Sequence, residues 1–140
     1  MAILFFKEKT KFRLSHRAKL PLWIKQILHW KKHKAENINF IFCNDKVLLD
    51  INRKYLNHNY LTDIITFDQS EKPKVVSADI YISIDRVIEN ATRYNVSFND
   101  ELHRVMAHGI LHLMGYSDKG KANSLVMRQM EDKCLTLRSF

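Results

Sequence analysis

Apolar residues recur along this chain in two rhythms, and the rhythms divide it into strands and helices. Ile3 to Phe6 is an apolar run closed by charge, which predicts a first strand. Pro21 suits a first helical turn, and Leu22, Trp23, Ile24, Ile27, Leu28 and Trp30 follow at helical spacing, an amphipathic helix running to about Lys34. At that spacing the two tryptophans read as core rather than as stacking platforms. Ile38 to Cys43 is β-branched and aromatic, hence a second strand. Asn44 or Asp45 then caps a helix through Val47, Leu48, Ile51 and Tyr55. A polar loop at Asn57 to Asn59 leads to a third strand, Asp63 to Phe67. Gln69 to Ser77, with Pro73, reads as a loop or flap before a fourth strand, Asp79 to Ser83, with Ile80 and Ile82 on one face.

Three helices close the chain. Asp85 caps one through Val87, Ile88, Ala91 and Tyr94, and Asn99 caps the next. In that second helix Leu102, Val105, Met106, Ile110, Leu111 and Leu113 cover most of the circumference, so it belongs at the centre of the fold. The last runs from about Lys121 to Leu137, with Leu125, Met127, Met130 and Leu135 expected inside. The order βαββ or βαβββ followed by helices predicts an α/β (α+β) fold: a single domain over residues 1–140, with a four-stranded mixed sheet packed by about five helices.

Composition narrows the class. A chain of 140 residues with 46% hydrophobic and 27% charged residues is an ordinary globular domain. No apolar run is long enough for a bilayer, and MAILFFKEK lacks a signal-peptide layout, so a cytoplasmic protein without membrane contact is expected. Cys43 and Cys134 form no C-x-x-C pair and read as buried free thiols. In that setting the sequons at Asn90 and Asn95 carry no meaning.

Charge adds a partner. Residues 1–34 hold ten Lys or Arg and one acid, a net +9, whereas the rest of the chain is at −1. Clustered cations gain affinity for a polyanion by releasing its counterions, which favours a polyanion over a merely solvated basic face.

The chemistry concentrates in HGILHLMGYSD, His108 to Asp118. Histidines four apart leave one helix face a turn apart, the spacing of two metal ligands. Gly115 permits the chain to turn back, and Asp118 can then bring a carboxylate to the same ion. Two imidazoles, a carboxylate and an open position describe a catalytic zinc site. The proteolytic HExxH pattern is incomplete, because Gly109 stands where its general base belongs.

This stretch resembles the signature of the YbeY endoribonucleases, H-G-x-L-H-L-x-G-Y-x-H, at His108, Gly109, Leu111, His112, Leu113, Gly115 and Tyr116. Asp118 departs from the family's third histidine. Asn52 to Asp68 is similar to the family's N-x-x-Y-R-x-x-x-x-x-T-D-V-L-S-F segment, with Leu56 in place of an arginine. Ala78 to Ser83 resembles its G-D-I-x-I-S strand. The resemblance implies a metal-dependent endoribonuclease specific for single strands. Its expected roles are maturation of ribosomal RNA at the small-subunit 3′ end and ribosome quality control. It implies one zinc per chain on His108, His112 and Asp118, with RNA and ribosomal components as partners and no DNA.

Asp63 and Thr62 match the second block and are candidates to orient a ligand histidine. His103, about 140° round the helix from His108, is expected on the surface, and His58 is a weak candidate for substrate contact. Gly109 is expected to leave room for phosphate or its attacking water. Two rival readings are a zincin-like peptide hydrolase and a non-catalytic ribosome-binding module braced by its metal.

Overall fold

A computed structural model describes residues 2–140. The elements follow the order β1 (Ala2–Glu8), α1 (Leu20–Trp30), β2 (Lys34–Cys43), α2 (Asp45–Leu56), β3 (Ile64–Asp68) and β4 (Val75–Ser83). Three helices complete the chain: α3 (Ile84–Tyr94), α4 (Phe98–Leu113) and α5 (Lys121–Thr136). The four strands form one sheet in the order β1-β2-β4-β3. β1, β2 and β4 are parallel and β3 is antiparallel to β4, so the sheet is mixed as predicted.

Strand alternation sorts the side chains into two cores. Ile3, Phe5, Ile38, Phe40, Phe42, Val76, Ala78, Ile80 and Ile82 face one way and join α1, α4 and α5 in the main core. On the opposite face α2 covers Cys43 and Ile65 with Leu48. Helices on both faces are what parallel strands require, since their crossovers lay helices against the sheet. Trp23 is buried in the main core and its indole N–H donates to the Cys134 carbonyl at 2.8 Å, tying α1 to α5. Burial pushes the Cys43 and Cys134 thiols up to about 12, so both are inert packing groups.

Several boundaries differ from the sequence reading. α1 stops at Trp30, because Lys32 takes a left-handed turn (φ 60°) into a β2 that begins at Lys34. β4 begins at Val75, where it pairs with Lys34, so the expected flap shortens to the hairpin between β3 and β4. The cap of α3 is Ser83 rather than Asp85, whose carboxylate instead accepts the Asp45 N–H. The cap of α4 is Ser97 rather than Asn99, and its hydroxyl accepts from the Asp100 N–H at 3.0 Å. Leu125 lies outside on α5, 60% exposed, while Glu131 and Cys134 point inward.

Candidate metal centre

α4 is the most enclosed helix, and its burial positions the site. Leu102, Val105, Met106, Ile110 and Leu111 are buried, fixing the rotation of the helix against the sheet. Gly109 lies at the closest approach to β3 and β4. A Cβ there would meet Ile64 Cδ1 at 2.8 Å, Ile80 at 3.5 Å and Thr66 at 3.6 Å. Gly109 therefore does more than leave the expected opening for phosphate: it borders the cavity, and its hydrogen on the sheet side lets the helix dock closely.

Helix α4 ends as its sequence predicts. The Gly115 N–H bonds the His112 carbonyl at 3.0 Å and the Tyr116 N–H bonds that of Leu111 at 3.1 Å. Gly115 has φ 104°, a conformation strained for any side chain. The chain turns back there, and Asp118 Oδ2 comes to 3.3 Å from His108 Nε2.

That separation suits shared ligation. Two tetrahedral ligands each about 2.1 Å from one zinc stand roughly 3.4 Å apart. The other side of His108 is equally fixed. Its Nδ1–H donates to Glu131 Oε2 at 2.6 Å, from the facing helix α5. Arg104, one turn back on α4, donates to Glu131 Oε1 at 3.0 Å and to Asp132 at 2.6 Å. The Glu131 hydrogen bond holds the His108 pKa above the usual histidine range, against the opposing effect of burial. With the proton fixed on Nδ1, the Nε2 lone pair is the one offered to a metal.

His112 lines the same cavity of about 360 Å³, together with Asp63, Thr62, His58, Leu56 and Gly109. It makes no pair with His108 or Asp118, and among the described residues no three such donors converge as a finished metal cage. The structure therefore brings two of the three expected ligands together and places the third on the same cavity. The donor set fits zinc: two imidazoles and a carboxylate, one imidazole already oriented by a carboxylate.

The supporting residues differ from those expected. Glu131, not Thr62, orients His108; the Thr62 hydroxyl bonds the Ile64 carbonyl instead. Glu131 had only one sequence signal, an acid at a core-facing position of the last helix, and its pairing crosses 23 residues. Asp63 does reach the site, and burial raises its pKa. His58 lines the cavity edge and bonds the Tyr60 hydroxyl at 3.0 Å. His103, expected on the surface, is 1% exposed. It packs against Trp23, His16 and Phe140, because the segment before α1 and the C-terminal residues fold over that side of α4.

The relationship to known proteins follows from the whole chain. The family model for Endoribonuclease YbeY matches residues 5–138. The chain belongs to the YbeY family. A YbeY relative from Cytophaga hutchinsonii is 49% identical, over 99% of this chain and 96% of its own. Another from Parabacteroides distasonis is 40% identical, over 98% and 96%. The solution structure of a Thermotoga maritima protein matches with TM-score 0.66 and 26% identity, over 97% of this chain and 88% of the other. Against the YbeY signature, Asp118 in place of histidine keeps a donor facing His108, whereas Leu56 in place of arginine leaves the cavity lined by no Lys or Arg.

Proposed function

We propose that this protein is a metal-dependent endoribonuclease that cuts single-stranded RNA in the maturation of ribosomal RNA. In this reading it works in the cytoplasm beside ribosomal components and holds one zinc on His108, His112 and Asp118. Family membership supports the activity, and the opposition of His108 Nε2 and Asp118 Oδ2 at 3.3 Å supports the ligand assignment. No helix of the described residues is long and apolar enough to cross a membrane.

The residues divide the work. Glu131, anchored by Arg104, holds the His108 ring with Nε2 towards the cavity. Asp118 faces it from the loop that Gly115 permits. When bound, zinc supplies a Lewis acid for a phosphoryl oxygen and a water acidified towards neutral pH, so no strong protein base is needed. Asp63 brings a further carboxyl to the same cavity, its pKa raised by burial. The peptide-hydrolase reading is disfavoured, since position 109 faces β3 and β4 and cannot carry the HExxH base without displacing Ile64.

Elemental analysis beside RNA cleavage tests the proposal. The expected result is one zinc per chain, with cleavage lost on chelation and restored by zinc. Intact RNA with fully loaded protein, or cleavage of peptides instead, would refute it.

A further inference from the structure

The cavity around His108 poses an electrostatic problem for a polyanionic substrate. It is lined by Asp63 and Asp118 and by no Lys or Arg. None of the ten cations of the +9 segment lines it, and Lys7 of β1 sits on the sheet edge opposite β3. Three strand spacings separate those edges, about 14 Å. Arg104 of α4 is close but is paired with Glu131 and Asp132, and two further cations near the site are on α5. Through Asp118 the cavity adjoins a second cleft, lined by Gly120, Lys121, Ser124, Leu125 and Arg128.

Lys121, Leu125 and Arg128 stand at i, i+4 and i+7, so they share one helix face. All three are exposed, and neither cation is in an ion pair among the described residues. Leu125 is the apolar residue that helical periodicity had placed in the core, yet it lies open between the two charges. Cations spaced about an apolar contact suit a nucleic-acid strand, whose phosphates alternate with sugars and bases.

We propose that the Lys121–Leu125–Arg128 face of α5 is a binding subsite for single-stranded RNA next to the bond being cut. It rests on the endoribonuclease reading and names where the strand is held. Lys121 and Arg128 take phosphates, and Leu125 takes the apolar face of a sugar or base. The subsite supplies the positive field that the cleavage cavity lacks.

The test is the double variant Lys121→Gln/Arg128→Gln, with Lys72→Gln/Lys74→Gln on the β3–β4 hairpin as a control of equal charge change. A short fluorescein-labelled single-stranded RNA serves as ligand and substrate for the zinc-loaded protein. Loss of two phosphate contacts should raise Kd and KM roughly tenfold at about 0.1 M salt and lower the salt slope by about 1.4. Zinc content and Tm should stay at the wild-type value, and the control should keep wild-type KM. Leu125→Ser should raise KM alone, by a few-fold, with the salt slope unchanged. If the wild type cleaves RNA while the double variant keeps its KM and slope, the subsite is overturned and the endoribonuclease reading stands. An equal loss in the control overturns it too, since any surface charge would then serve. If the wild type neither binds nor cleaves the RNA, both fail together.

Discussion

His103 and His108 stand five residues apart on one helix, and the fold makes them opposites. His103 lies among Trp23, His16 and Phe140, and burial, then the Arg138 charge, lower its pKa to about 4. Its Nδ1 accepts from Arg138 at 2.9 Å, and its Nε2 has no partner among the described residues. His108 is also partly enclosed, but Glu131 and Asp118 flank it and its pKa moves the other way. A histidine's charge is thus set by what distant segments deliver to it: burial under aromatic rings favours the neutral form of one, and carboxylates favour the protonated form of the other.

The strongest way to sharpen this contrast is to remove each imidazole. His108→Ala, alone or with His112→Ala, should lose zinc and abolish cleavage while the fold persists. Asp118→Ala should weaken zinc binding, and Asp118→His should retain it. Full zinc occupancy in the double variant, measured by elemental analysis, would refute the ligand assignment.

Acid should break the His103 side of the comparison next. A histidine with a folded pKa near 4 binds protons less readily than its unfolded form near 6.5. Its neutral state therefore contributes full stability above about pH 6.5, and that contribution is lost as pH falls towards 4. The loss is roughly 3 kcal/mol, legible as a drop in urea midpoint between pH 7 and pH 4.5. His103→Leu should flatten that part of the profile; an unchanged acid slope in this variant would assign the loss to other groups.

Glu131→Gln probes the orientation of His108. Without the carboxylate the His108 pKa should fall towards its ordinary value, and zinc affinity should drop by about 10–100-fold. Titration of the metal-free protein by NMR and competition with a zinc chelator read the two effects separately. An unaltered His108 titration would show that the 2.6 Å contact does not govern the ring.

The smallest effect is expected at Gly109. Ala at this position gains about 1 kcal/mol of helix propensity, which offsets the displacement of Ile64 Cδ1. Its Tm should move by only a few degrees, whereas Gly109→Glu should lower it much further by forcing a charge against β3. Equal Tm values for the two would mean that the helix does not dock as closely as described.

Much of the site was legible because it is local. The i, i+4 histidines, the glycine turn and Asp118 lie within eleven residues, and local geometry brings Asp118 to His108 and leaves His112 on the same cavity. The four strands and five helices were equally readable, since periodicity is a property of neighbouring residues. Errors gathered where two local signals compete, as at Ser97 and Asn99, or where hydrophobicity misled, as at Leu125.

Tertiary structure alone decided the remainder. His103 is buried by segments from both ends of the chain, and Gly109 is constrained by Ile64, 45 positions earlier. Glu131 reaches His108 only because α4 and α5 lie side by side, and the same packing turns Lys121 and Arg128 towards the cleft beside Asp118. Periodicity reports which face of a helix is apolar but not which element will lie against it. Burial, hydrogen-bond partners and pKa depend on that second fact, because they arise between residues that the sequence keeps far apart.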